Sequence, residues 1–89
     1  MAKSTKAVAE SYIDDIVRKF PGVVAEAIFE SIGGYNVWIR VGLPPDLKDR
    51  FLEILDSTTE LNERYWEEAG VGVVATLVDE EALFLNRVP

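Results

Sequence analysis

The sequence predicts an α+β fold, a two-layer sandwich in which two helices cover one face of a three-stranded antiparallel sheet. Three observations lead to this prediction. Two segments carry apolar residues at helical spacing, three segments are rich in β-branched and aromatic residues, and the five follow the order α-β-β-α-β. A right-handed crossover through the second helix would pair the last strand antiparallel to the first, which gives the strand order 2-1-3.

The first helix is predicted to begin at Thr5 and to end at Phe20. Over this stretch the larger apolar residues recur every three or four positions, so that they form one stripe facing a core. Ser4 has the side chain of an N-cap, and Pro21-Gly22 stops the helix.

The two segments that follow, residues 23–32 and 35–42, predict a β-hairpin. Both are rich in residues that favour strands, and Gly33-Gly34 separates them. A one-residue change in the loop moves every side chain of a strand to the other face, so the register decides which residues meet. Loops of two and of three residues are both open.

A two-residue loop places Glu26 and Glu30 among apolar side chains on one face of the hairpin. A three-residue loop instead sets Glu26 opposite Arg40, Ile28 opposite Trp38 and Glu30 opposite Asn36. We favour the three-residue register because it avoids two buried carboxylates and forms an ion pair. Such loops also need a residue in the left-handed region, which Gly34 supplies.

A long second helix is predicted from residue 47 to residue 69. Pro44-Pro45 ends the second strand, Asp46 is the expected cap, and Gly70 is the expected terminator. The apolar seam of this helix steps by four and three residues through Leu47, Phe51, Ile54, Thr58, Leu61 and Tyr65.

The third strand is predicted from residue 71 to residue 78, and the chain is interpreted as one domain over residues 1–89. Val73, Ala75 and Leu77 face one side of this strand, and Val74, Thr76 and Val78 face the other. Residues 79–89 form a C-terminal extension in which one helical turn is expected at 82–85.

Composition and charge limit the classes of function. The 89 residues include no Cys and no His, which excludes thiol chemistry and zinc sites built on thiolate or imidazole. The net charge is −7, and residues 46–81 carry eleven acids against three bases. This acidity argues against a nucleic-acid or membrane partner and suits a basic protein partner. No apolar run reaches the ~20 residues of a membrane span, and we expect a cytoplasmic protein.

One face of the predicted sheet is left without helices, and we interpret it as an interface for homodimer formation. A contiguous apolar patch with a central Trp is typical of interaction surfaces. A core this small also gains stability from self-association. The alternative is that residues 82–85 fold back over the patch. The expected interface residues are Val24, Ile28, Trp38, Arg40, Val74 and Val78.

The sequence offers little catalytic chemistry, and we predict a protein that is not an enzyme and has no metal or other cofactor. Carboxylates are the only plentiful catalytic side chains. Glu26 and Glu30 lie about 13 Å apart along one strand, which is too far for paired acid and base work. The acidic run at residues 79–81 is typical of a solvated turn.

The stretch from Ala27 to Val41 resembles the core of minimal nucleotidyltransferase domains. That family has a strand ending in Phe-Gly-Ser, a Gly-containing turn and a strand carrying Asp-x-Asp. Phe29, Ser31 and Gly34 match this pattern, but Asn36 and Trp38 stand where the family has metal-binding aspartates. The resemblance therefore implies a dismantled active site, because phosphoryl transfer there depends on two bound cations.

Two functions follow from these predictions. The first is protein–protein contact through the open sheet face, as a homodimer. The alternative is a degenerate nucleotidyltransferase-like domain that binds a nucleotide or partners an active subunit, with Ser31, Gly34 and Asn36 as the ligand-binding residues.

Overall fold

The computed structural model describes residues 4–29 and 33–85, and it has the predicted α+β architecture. The helices are α1 (Thr5–Lys19), α2 (Phe51–Ala69) and α3 (Glu80–Leu85), and a 3-10 helix (Pro45–Arg50) precedes α2. The strands are β1 (Val24–Ile28), β2 (Val37–Leu43) and β3 (Val73–Asp79). Within these described ranges no helix is long and apolar enough to cross a bilayer.

The predicted strand order and the all-antiparallel sheet are wrong. The sheet has the order β1-β2-β3, and β3 pairs parallel to β2 instead of antiparallel to β1. The long α2 returns the chain to the starting end of β2, as a crossover between parallel neighbours requires. β2 is the central strand. Neighbouring strands cover both of its edges, and six of its seven residues are buried.

The hairpin register is the predicted one. Glu26 lies opposite Arg40, Ile28 opposite Trp38, and Ala27 opposite Ile39. The strands themselves are shorter than predicted, since β1 ends at Ile28 and β2 begins at Val37. The predicted pair of Glu30 with Asn36 lies outside the described residues.

The core lies between the first face of the sheet and the two long helices. From β2 it takes Val37, Ile39 and Val41, which are fully buried. α1 and α2 both contribute to the same cluster, with Tyr12 and Ile54 as fully buried members. The prediction that both long helices cover one face is therefore confirmed.

Helix boundaries follow the predicted signals with one exception. Ser4 caps α1, because its hydroxyl accepts a hydrogen bond from the Ala7 amide at 3.1 Å. Gly70 ends α2 in the left-handed region at φ 67°. The cap predicted at Asp46 is wrong, since the chain first makes the 3-10 helix, for which Pro44 is the N-cap residue. The extra turn places Phe51 at 42% exposure, outside the predicted seam.

Two buried tyrosines join α1 to α2. The Tyr12 hydroxyl donates to Asn62 Oδ1 at 2.7 Å, and the Tyr65 hydroxyl donates to Asp15 Oδ2 at 2.8 Å. Burial raises the pKa of Tyr12, and burial together with the Asp15 carboxylate raises the pKa of Tyr65 to about 12. Both hydroxyls therefore stay protonated at neutral pH and hold the two helices in one relative position.

Candidate interaction surface

The second face of the sheet, on the side away from α1 and α2, consists of three rows of side chains that cross the strands. Strand alternation and the two registers place three residues in each row. The first row is Ile28, Trp38 and Val74; the second is Glu26, Arg40 and Thr76; the third is Val24, Gly42 and Val78. The structure thus brings together all six residues predicted for the interface.

The two charged side chains of the middle row form an ion pair with each other. Arg40 Nη1 donates to Glu26 Oε1 at 3.1 Å, and the two side chains are 9% and 18% exposed. The Arg40 guanidinium also lies 5.6 Å from the centre of the Trp38 ring, within reach of a cation–π contact. The opposite charges of Arg40 and Glu26 leave this row nearly neutral, so it can approach an apolar surface.

Trp38 of the first row forms a hydrogen bond across the strands through its indole nitrogen. Its indole Nε1 donates to Thr76 Oγ1 of the neighbouring strand at 2.8 Å. The donor that usually makes a buried Trp costly is therefore already satisfied. The ring remains half-buried, between the side chains of Ile28 and Val74.

The centre of the third row, Gly42, is covered by α3, which the main prediction left off the sheet. Leu83 is 1% exposed, and a Cβ built on Gly42 would lie 2.7 Å from its Cδ1 atom. Leu83 therefore occupies the space that a side chain at position 42 would take. The alternative in which the C-terminal segment folds back is correct for this end of the face.

The cover is partial, and it leaves the Trp38 end of the second face without a helix among the described residues. Ile28, Trp38 and Val74 are half-buried there, and Val24 at the β1 edge is 37% exposed. An apolar row with a central indole therefore borders a neutral ion pair. An apolar centre beside paired polar groups is a composition found in the cores of protein–protein interfaces.

Of the three residues predicted for nucleotide binding, the structure describes Gly34 and Asn36. Gly34 lines an open cavity of about 380 Å³, together with Tyr35, Glu63 and Trp66. The Asn36 side chain instead accepts a hydrogen bond from the Gly72 amide at 2.7 Å, which ties the hairpin to β3. Ser31 lies outside the described residues. Among the lining residues that the structure describes there is no Lys or Arg to attract a phosphate.

Sequence reasoning missed a second exposed apolar surface on α2. We call the residues Phe51, Leu52, Leu55, Thr59 and Trp66 the outer flank of α2. Leu52 is 73% exposed and Trp66 is 62% exposed, so large uncharged side chains stand at positions where an exposed helix usually has charged ones. The signal was present in the sequence, because Leu52, Leu55, Thr59 and Trp66 follow helical spacing beside the core seam.

The described carboxylates form no group of three that could hold a metal ion. Those for which ion pairs are found in the described residues are mostly on the surface, as with Asp79, whose Oδ1 lies 3.1 Å from Lys48 Nζ. An exposed pair of this kind contributes little to stability.

Comparisons of the chain with protein-family models, with curated proteins and with solved structures found no match. The resemblance to nucleotidyltransferase domains therefore stays a prediction.

Proposed function

We propose that this domain is not an enzyme and acts by protein–protein contact, as a homodimer formed through the second face of its sheet. The observation that carries the proposal is the row of Ile28, Trp38 and Val74, over which no helix lies among residues 4–29 and 33–85. Trp38 stands at the centre of this row with its indole donor already satisfied.

A second copy is the occupant that fits this surface best. In a twofold dimer the same patch meets itself, so both partners must be neutral where they touch. The Arg40–Glu26 pair meets that requirement, because each copy carries its own counter-charge beside Trp38. An acidic chain with a net charge of −7 would otherwise repel its own copy.

The energetic gain from such a contact is large for a chain of this size. The two long helices cover one face of three short strands, the short α3 covers only part of the other, and no disulfide is possible without cysteine. Burial of apolar surface contributes roughly 25 cal/mol per Å². Completing the burial of Trp38, which is partly buried already, and of its two aliphatic neighbours on each copy therefore adds to the stability of a marginal monomer.

We expect Trp38→Arg to break the contact through the second face and so to halve the mass of the assembly. A charge at the interface centre loses its hydration on association without gaining a partner, and central Trp residues are common hot spots. Light scattering at micromolar concentration measures the mass of each protein. Val17→Arg is the matched control, since Val17 is 39% exposed on α1, away from the second face.

We expect the parent and the Val17→Arg variant to share one mass and Trp38→Arg to have half of it. Identical masses for all three proteins would refute the interface. Circular dichroism distinguishes dissociation from unfolding, because a folded monomer keeps its helical signal.

Nucleotide binding remains the second candidate, and it rests on the cavity beside Gly34. Glu63 is the charged residue among those that line this cavity, and its negative charge opposes a bound phosphate. A thermal-shift titration with nucleotides and Mg²⁺ separates the two candidates. A rise in melting temperature that nucleotide causes in the parent and not in Gly34→Val would favour nucleotide binding at this cavity.

A further inference from the structure

The geometry points to a second contact between copies of this chain, formed by the outer flank of α2 and the free edge of β3. This contact is separate from the second face. It goes beyond the proposed function, because the two contacts together build an assembly larger than a dimer.

β3 lies at the edge of the sheet and presents an unpaired row of backbone groups. Among the described residues its ladder partner is β2 on one side. Charge and Pro are features that natural edge strands use to prevent pairing; residues 73–78 have neither, and the one charge of β3 is Asp79 at its last position. Two such edges can pair antiparallel about a twofold axis, which joins two three-stranded sheets into one.

The outer flank of α2 runs beside that edge. At one end, Phe51 lines an open cavity of about 400 Å³ together with Leu77 and Val78 of β3. At the other end, Trp66 lines the cavity that also contains Gly72 and Val73, where β3 begins. A copy that pairs with the β3 edge therefore meets the outer flank as well.

Charge selects this flank over any other side of α2. The five residues of the outer flank are uncharged, and Glu63 borders them beside Trp66, whereas Glu53, Asp56, Glu60 and Glu67 lie on the other exposed side of the helix. If two copies met through the acidic side, like charges would oppose one another along the whole helix. An uncharged flank on an acidic helix therefore fits a second identical helix.

The spacing of the flank residues is self-complementary. Leu52 and Trp66 lie seven residues before and after Thr59. An antiparallel pair of α2 helices centred on Thr59 therefore brings Leu52 of each copy to Trp66 of the other. The small Thr59 side chain lies at the crossing point, where close approach of the helix axes is needed.

The area is adequate for a specific contact. Leu52, Trp66 and Phe51 are 73%, 62% and 42% exposed. An aromatic side chain buries on the order of 150–250 Å². With the backbone of the β3 edge, each copy can bury several hundred Å², which approaches the ~800 Å² per partner of a standard interface.

Four proteins test this contact together with the proposed function. They are the parent, Trp38→Arg, Leu52→Glu and the double variant, and analytical ultracentrifugation gives the mass of each. We expect a tetramer, a dimer, a dimer and a monomer. Leu52→Glu introduces a charge at an exposed position, so the monomer fold is retained, and it weakens the flank contact about 100-fold.

The two proposals fail in different ways. If the mass of Leu52→Glu equals that of the parent, the flank contact is refuted. If Trp38→Arg keeps the parent mass while Leu52→Glu halves it, the flank contact stands and the sheet-face contact is refuted. Val17→Glu, on α1, is the control and is expected to keep the parent mass.

Cross-linking gives a readout that does not depend on weakening the contact. The chain has no Cys, so a single introduced thiol reports its own neighbours. Thr59→Cys lies on the proposed twofold axis and is expected to form a disulfide-linked dimer under mild oxidation. Asp56→Cys lies on the acidic side and is expected to remain a free thiol; equal cross-linking of both variants would contradict the arrangement.

Discussion

Glu26→Ala is expected to lower the free energy of unfolding by about 3 kcal/mol, a large change for a domain of this size. The substitution leaves the Arg40 guanidinium without its ion-pair partner while its side chain is 9% exposed. Arg40 Nε is already buried without a hydrogen-bond partner in the described structure. Loss of Glu26 would therefore leave a buried guanidinium with two unsatisfied nitrogens. Urea unfolding at one fixed protein concentration measures the change.

A double variant identifies the cause of this loss. Glu26→Met with Arg40→Met replaces the ion pair by apolar side chains of similar length, and we expect its stability to lie within about 1 kcal/mol of the parent. Rescue by the second substitution would show that the unpaired charge, and not the lost packing of Glu26, causes the instability. A change below about 0.5 kcal/mol in Glu26→Ala would mean that solvent screens the pair.

Gly42→Ala is expected to displace α3 from the second face and to lower stability by about 1–3 kcal/mol. The added Cβ would lie 2.7 Å from Leu83 Cδ1 and 3.0 Å from Glu80 Cα. The Leu83 side chain can rotate, but the Glu80 contact is with backbone, so α3 as a whole must move. Faster amide exchange in α3 and faster cleavage after Glu80 and Glu81 by a glutamate-specific protease would report that movement.

Gly72→Ala is the matched control for this experiment. A Cβ at position 72 would lie 3.4 Å from Asn36 Oδ1, which is an ordinary contact distance. We expect this variant to keep α3 in place and to retain most of its stability. Equal effects of the two substitutions would mean that the packing of Leu83 on Gly42 does not hold α3 against the sheet.

Local chemistry made the hairpin and the second face predictable from the sequence. The choice between two registers depended on whether Glu26 meets Arg40 or an apolar side chain. An ion pair and a carboxylate among apolar side chains differ so much in free energy that the residues alone indicate the register. The same alternation then fixed which side chains share a face with Trp38. Gly70 was equally clear, because a helix end in the left-handed region favours Gly.

The strand order depends on how much of each strand is buried on both faces after the elements pack, which local sequence patterns do not contain. Both β1 and β2 offer a free edge to β3, and the apolar character of β3 suits either one. What decides the order is that Val37, Ile39 and Val41 need cover on one face while Arg40 and Gly42 are also buried on the other. The sequence of β2, in which Arg40 is the only charged residue, held this signal.

The seating of α3 and the outer flank of α2 were not predictable for a related reason. Leu83 finds its place because Gly42 has no side chain, and that contact joins residues far apart in the chain. Phe51 leaves the seam because a 3-10 turn precedes α2 and changes the rotational position at which the helix starts. Both effects arise only after the elements pack.

The most direct test of the homodimer through the second face is the fluorescence of Trp38 as the protein is diluted. The chain has two Trp residues, so Trp66→Phe leaves Trp38 as the sole indole, and Leu52→Glu in the same protein removes the flank contact so that mass is lost only through the second face. We expect the Trp38 emission maximum to shift to longer wavelength as the protein concentration falls, with the same midpoint as the loss of mass in light scattering. A constant emission maximum across the range in which the mass falls would contradict it.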